Sequence, residues 1–283
     1  MNARLKQSAK KVLPKKVWNF LRHYRAIIRD RLENGGSSVC RIPYCGYELY
    51  YGPGDLLIKK IRNGKIFEEK MCRAIVAELE KSPQPIFLDV GANIGLISLY
   101  AVAQVRNIHV YAFEPGPHQN AFFTKTLAEN NLSQITLSDN ALGNKDEVVT
   151  FIAHFSPDSS GDGLIDTNRA GEPIPTQVQM TTIDSWWERA GRPGVDVMKI
   201  DIEGAELWAF EGAVNFLKQA QPTIFMEIEP KNLKVYPYTR DDILKFFVSH
   251  GYALYTLDEQ LCTKENWQTF IGTYDTYIAR PVG

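Results

Sequence analysis

The 283-residue chain contains no run of about 20 apolar residues, so no segment reads as a bilayer-spanning helix. Its basic beginning also lacks the apolar core of a secretory signal. Cysteine is scarce. Cys40, Cys45, Cys72 and Cys262 are the only four, and none is paired in the C-x-x-C spacing of a zinc site. They read as free thiols in a reducing compartment, and the expected location is the cytoplasm. No metal centre is expected, although the acids discussed below leave a magnesium-type oxygen site open. Net charge is only −1, which gives no overall mark of a nucleic-acid binder. Internal repeats and low-complexity tracts are absent. What remains is a soluble globular composition, 44% apolar and 23% charged, long enough for one good-sized domain with an accessory segment.

One further absence points to the ligand. The chain has a glycine turn after a buried-looking strand, but not the G-x-G-x-x-G of a dinucleotide fold. Ile86 to Val90 is an apolar run bounded by Pro83 and Pro85, as in a parallel sheet. Gly91-Ala92-Asn93-Ile94-Gly95 follows, then an apolar segment of helical spacing to about Val105. Asn93 stands where the second glycine would be, and Asp89 closes the strand. An acid beside the turn repels a pyrophosphate but suits a ligand with an ammonium group and no phosphate. S-adenosylmethionine (SAM) is such a ligand, and an NAD-dependent oxidoreductase is the disfavoured alternative.

Further anchors follow at strand ends. Ile108 to Phe113 reads as a second strand ending in Glu114-Pro115, with Pro117 opening a helix to about Asn131. An acid at that position is placed to hold both hydroxyls of a ribose. A third strand, Ile135 to Ser138, leads to Asp139-Asn140-Ala141. Asn140 is the better partner there for an adenine amino group, and Asp139 the lesser one. Asp201 and Glu203 close a fourth strand that begins at Val195; Glu227 and Glu229 close a fifth from Thr223. Lys199 shares the parity of Asp201. These acids converge on one rim of an open sheet, where crowding raises a carboxyl pKa and provides a base near neutral pH.

The rest of the chain shapes this site. Residues 1–33 form a basic segment: residues 1–31 hold ten Lys or Arg and the single acid Asp30. Val12, Leu13, Val17, Trp18, Phe20, Leu21 and Tyr24 lie among the cations, interrupted by Pro14. That pattern fits contact with an anionic membrane surface or an acidic partner, or else packing on the main domain. Residues 34–82 read as a cap: strands within Val39–Tyr51, a helix from Asp55, and another over Phe67–Lys81. Glu68 and Glu69 at the start of the latter are within reach of a ligand. Residues 145–181 read as a β-rich insertion with a long loop from Pro157 to Pro175; His154 is a further candidate base. A helix is expected over Ile183–Ala190 and a single helix from the Asp201–Glu206 segment to Ala220. Another covers Asp242–His250, with strands at Tyr252–Leu257 and Tyr274–Ala279.

Taken together, Asp89-Val-Gly-Ala-Asn-Ile-Gly95, Glu114-Pro115, Thr182-Ile-Asp184 and Lys199-Ile-Asp-Ile-Glu-Gly-Ala-Glu206 resemble the FkbM family of SAM-dependent methyltransferases. The resemblance spans roughly residues 64–257. It implies an α/β class I (Rossmann-like) methyltransferase fold over residues 83–283, a doubly wound sheet of seven strands. The implied order is 3-2-1-4-5-7-6 with the last strand antiparallel, behind an N-terminal helical and β extension. It also implies O-methylation of a hydroxyl on a sugar, glycan or secondary metabolite. On this sequence Asp89, Gly91 and Asn93, with Ala92 and Gly95 of the same turn, would serve the methionine end of SAM. Glu114 with Pro115 would hold the ribose, and Asn140 and Ala141 the adenine. Asp201 and Glu203 would face the methyl group, with Lys199 and Glu227 tuning them. The alternative on the same fold is a binding or scaffold protein without turnover.

Overall fold

The computed structural model describes residues 15–154, 161–167, 172–270 and 272–283. Val12, Leu13 and Pro14 lie outside the described residues, as do the side chains of Val17, Trp18 and Phe20 and much of the long loop.

The described residues begin with helix α1 (Lys15–Glu33) and a hairpin of β1 (Cys40–Tyr44) and β2 (Tyr47–Tyr51). Helix α2 (Leu56–Ile61) starts where Asp55 accepts a hydrogen bond from the Leu57 amide at 2.8 Å, the N-cap its sequence predicts. Helix α3 (Glu69–Leu79) precedes the main sheet. That sheet begins with β3 (Ile86–Val90), α4 (Leu96–Gln104), β4 (His109–Phe113), α5 (Pro117–Glu129) and β5 (Ile135–Ser138). A separate sheet follows in sequence, made of β6 (Ala141–Leu142), β7 (Glu147–His154) and β8 (Pro173–Thr181), and it is the β-rich insertion the alternation there predicts. The main sheet resumes with α6 (Ile183–Arg189), β9 (Val197–Ile200), α7 (Glu206–Glu211), α8 (Val214–Ala220) and β10 (Thr223–Glu227). It ends with α9 (Arg240–Ser249), β11 (Tyr252–Thr256), β12 (Leu261–Cys262) and β13 (Thr276–Pro281).

Across the sheet the order is β12-β11-β13-β10-β9-β3-β4-β5, with β13 antiparallel to both its neighbours. Counted along the chain without β12, this is the expected 3-2-1-4-5-7-6. The sheet has eight strands rather than seven, because the two residues of β12 add an antiparallel edge to β11. So short a pairing has no alternation for a sequence to display.

Adjacent side chains feed opposite faces of the central strands. Phe87, Val197 and Phe225 join one apolar cluster; Leu88, Met198 and Met226 join the other. The first cluster also takes in Cys40, Leu49, Ile58 and Ile75, so the hairpin, α2 and α3 share a core with the sheet. The strand β2 is tied to α5 through Tyr50 N–H to Thr126 Oγ1 at 3.0 Å and Glu48 N–H to Asn130 Oδ1 at 3.0 Å.

The single helix expected up to Ala220 is in fact two. Asp184 takes the Asn215 and Phe216 amides at 3.0 and 2.7 Å, while its own amide donates to the Gly212 carbonyl at 2.8 Å. A carboxylate on these amides caps a new helix start there, so the chain breaks at Gly212–Ala213. Among the described residues no helix is long and apolar enough to cross a membrane.

Candidate functional site

A cavity of about 780 Å³ opens at the carboxyl ends of the parallel strands, where ligands of such sheets bind. The turn after β3 forms its floor. Gly91 has φ +74, and a Cβ there would sit 1.9 Å from the Asp201 carbonyl oxygen. The loops after β3 and β9 therefore touch backbone to backbone, and only glycine permits that approach. Gly95 answers a different need. With φ +88, a Cβ on it would strike the Phe123 ring at 2.2 Å, so Gly95 lets α5 close on the turn rather than facing the cavity.

Every amide of that turn is already engaged. Gly91 and Ala92 N–H donate to the Phe113 carbonyl at 3.0 and 2.9 Å, and Gly95 N–H to Ala92 O at 2.9 Å. Asn93 N–H donates to Glu114 Oε2 at 2.7 Å, and Ile94 N–H to Asn93 Oδ1 at 2.8 Å. A dinucleotide turn keeps its amides for phosphate oxygens. This one has none to spare.

Glu114 is held by backbone. Its second oxygen accepts the Gly116 amide at 2.7 Å, and burial pushes its pKa up to about 7 against the pull of these two amides. It lines the cavity with Pro115, Asn140 and Ala141. Asp139 is exposed and does not line the wall. Two turn residues stand elsewhere than expected. Gly95 does not line the cavity, and neither does Asp89, which has no exposed surface. Asp89 accepts from Ser98 Oγ at 2.6 Å and lies 3.7 Å from Lys199 Nζ, so it acts behind the wall through that lysine.

Lys199 is a buried cation between the turn and the acids after β9. Its Nζ donates to the Gly91 carbonyl at 2.9 Å and lies 3.9 Å from Asp201 Oδ2. Burial would lower its pKa, but the charges of Asp201, Asp89, Glu68 and Glu227 outweigh this and raise it. Asp201, Glu203, Glu227 and Glu229 all line the cavity, as does Glu68 from the start of α3. Glu203 has φ 57, so the backbone between it and Asp201 is not extended as their two-residue spacing suggests. They share the cavity because the loop curls, and Asn232 Nδ2 holds Glu203 Oε2 at 2.7 Å. Glu206 organises this loop: buried, it accepts from the Ile202 and Gly204 amides at 2.9 and 3.2 Å. Tyr238 adds a hydroxyl hydrogen bond to the Gly204 carbonyl. The charge of Asp201, then partial burial, then Glu68 and Glu203 push Glu227 up to about 10. Glu227 thus holds its proton at neutral pH and can donate a hydrogen bond, while it cannot serve there as a base.

Asp162, Gly163 and Phe151 of the insertion also reach the wall. Asp162 accepts from Gln119 Nε2 at 2.9 Å and from the His154 amide at 2.9 Å, and its Oδ1 lies 3.1 Å from His154 Nδ1. His154, a sequence candidate for the base, is buried and off the cavity wall, where it steadies Asp162. Asp162 went unnoticed in the sequence because Gly161-Asp162-Gly163 carries only turn chemistry. Among the described residues no three His, Cys, Asp or Glu side chains are grouped to hold a metal ion.

The family model described as the methyltransferase FkbM domain matches residues 89–254. Methyltransferase 1 of Beauveria bassiana (strain ARSEF 2860) is 24% identical over 184 residues, covering 59% of this chain and 72% of its own length. The 2-O-methyltransferase NoeI of Sinorhizobium fredii (strain NBRC 101917 / NGR234) is 26% identical over 149 residues, or 48% of this chain and 60% of that protein. A solved structure of the methyltransferase FkbM from Methylobacillus flagellatus KT matches with a TM-score of 0.43 and 16% identity, over 70% of this chain and 43% of that one.

Proposed function

The chain belongs to the FkbM family of methyltransferases, and from that premise we propose that it uses SAM to methylate a hydroxyl oxygen of a sugar, glycan or secondary metabolite. One observation carries the reading: a glycine turn with all five amides engaged shares its cavity with a wall of carboxylates. Such a site suits a sulfonium and an ammonium group and has no cradle for a pyrophosphate. Oxygen as the acceptor atom is supported by the name of the rhizobial relative, a 2-O-methyltransferase.

The residues fit the cofactor by the chemistry of their donors and acceptors. Glu114 would hold the ribose hydroxyls, Asn140 and Ala141 would border the adenine, and Gly91, Ala92 and Asn93 the methionine end. Bound there, SAM supplies an electrophilic methyl group for in-line transfer. The chain's own part is alignment and proton handling. Asp201 is the base: it lines the cavity with its side chain one-third exposed, and Lys199 fixes its position. Glu203, held by Asn232, orients the acceptor, and Glu227 donates its proton in a hydrogen bond to acceptor oxygen. The 161–163 segment of the insertion closes the same wall.

Calorimetric titration with S-adenosylhomocysteine, with NAD⁺ as the control, tests the cofactor assignment. Binding of the first alone is expected and justifies screening sugar hydroxyls as acceptors. Binding of NAD⁺, or of neither, overturns it.

A further inference from the structure

Among the described side chains, helix α1 docks on the domain by one face. Ala26 and Ile27 are half-buried there, and Asp30 is fully buried. Asp30 accepts from the Gly54 amide at 2.9 Å and pairs with Arg62, so one carboxylate grips both flanks of α2. Glu33 is turned the same way, with Arg62 donating to it at 3.0 Å. On the outer side Tyr24, Ile28 and Leu32 are 53%, 41% and 77% exposed. Spaced i, i+4 and i+8, they form one apolar line along the helix.

The borders of that line decide what covers it. At about 100° per residue, Arg31 lies on one side of it and Arg25 and Arg29 on the other. All three arginines are exposed. Residues 1–31 carry ten Lys or Arg, and their one acid is the buried Asp30. An anionic bilayer takes apolar side chains below its headgroups while phosphates meet cations on both borders. Arg29 is already engaged, donating to Asp30 Oδ1 at 3.1 Å. We propose that α1 lies in the interface of an anionic lipid bilayer, with Tyr24, Ile28 and Leu32 inserted and Arg25 and Arg31 on the headgroups. Because Asp30 grips the segment that gives Leu57 and Lys60 to the cavity wall, docking brings that wall to the membrane. This assignment does not depend on the methyl-transfer reading.

Co-sedimentation of the full chain with vesicles tests it, using phosphatidylcholine alone or mixed with phosphatidylglycerol. Binding is expected only to the anionic vesicles, weakening as salt is raised. Ile28→Ser with Leu32→Ser should weaken it by at least about thirtyfold. Arg25→Gln with Arg31→Gln should weaken it by about thirtyfold and flatten its salt dependence. Thermal melts and S-adenosylhomocysteine titration, expected to be unchanged, check that both variants are folded. The proposal falls if anionic vesicles do not sediment the chain, or if neutral ones do so equally. It falls too if both variants bind as the parent does. Light scattering without vesicles provides the last arm: self-association abolished by Ile28→Ser with Leu32→Ser would assign the line to a second copy of the chain and overturn lipid binding.

Discussion

The two ends of the cavity each hold a carboxyl group that resists ionisation, for different reasons. At the turn end, burial lifts Glu114 to about 7, and two backbone amides keep it from going further. At the rim of β9 and β10, Glu227 is lifted to about 10, chiefly by the charge of Asp201. The first acid is set by burial and by hydrogen bonds from two fixed backbone amides. The second is set by its neighbours' charges and responds when a ligand or proton changes them. One end is therefore built to hold, the other to react.

Asp201→Asn breaks this contrast where it is sharpest. With the base removed, kcat should fall by about 10²–10⁴-fold, measured with the first acceptor that turns over. The loss in kcat should far exceed any loss of S-adenosylhomocysteine affinity, because Glu114 and the turn are untouched. Activity close to the parent's would remove Asp201 as the base.

Glu114→Ala attacks the holding end. It leaves the Asn93 and Gly116 amides without their carboxylate, and each such loss costs about 1–3 kcal/mol. Calorimetry should show S-adenosylhomocysteine affinity reduced by about 10–100-fold, together with a lower Tm. Unchanged affinity would sink the ribose assignment.

These two acids also show what a sequence displays. The strand, glycine turn and Glu114-Pro115 were legible because burial on both faces of a parallel strand and an acid at its tip leave one-dimensional patterns. Asp201 and Glu203 were legible as a pair, though the left-handed Glu203 that brings them together was not. Asp89 was misplaced, since alternation tells which face a side chain takes but not how deep it lies. Asp162 was invisible: its contacts reach Gln119, 43 residues away, and His154, 8 residues away, and nothing periodic announces them. The helix break at Gly212 was equally hidden, because its cause is Asp184 on another element.

The pH dependence of stability sharpens the comparison further. Below about pH 4.5, the ordinary glutamate value, both folded and unfolded chains hold these protons. Above it the unfolded chain releases them first, so stability falls as pH rises. Glu114 and Glu206, at about 7, contribute to this fall only up to neutrality, whereas Glu227 continues it to about pH 10. Glu227→Gln should flatten the Tm profile between pH 7 and 10 and leave the Glu114 and Glu206 part of the fall in place below it. An unaltered alkaline slope would show that Asp201 does not hold the proton on Glu227.

The smallest effect belongs to the far side of the holding end. Asn140 lines the cavity and its amide donates to Ser138 Oγ at 3.2 Å, while its neighbour Asp139 is exposed and off the wall. An adenine amino group held by one neutral side chain is worth about 0.5–1.5 kcal/mol. Asn140→Ala should therefore weaken S-adenosylhomocysteine by about 2–10-fold, with Asp139→Ala leaving it unchanged. The backbone donation to Ser138 survives either change, so the local turn persists and the difference reports the side chain alone. The reverse order, with Asp139 the sensitive position, would mean that the adenine enters from the outer side of β5. Equal, negligible effects would mean that Ala141 and the apolar wall hold the base by shape. In that event Glu114, and not Asn140, would hold the nucleoside by a side-chain hydrogen bond.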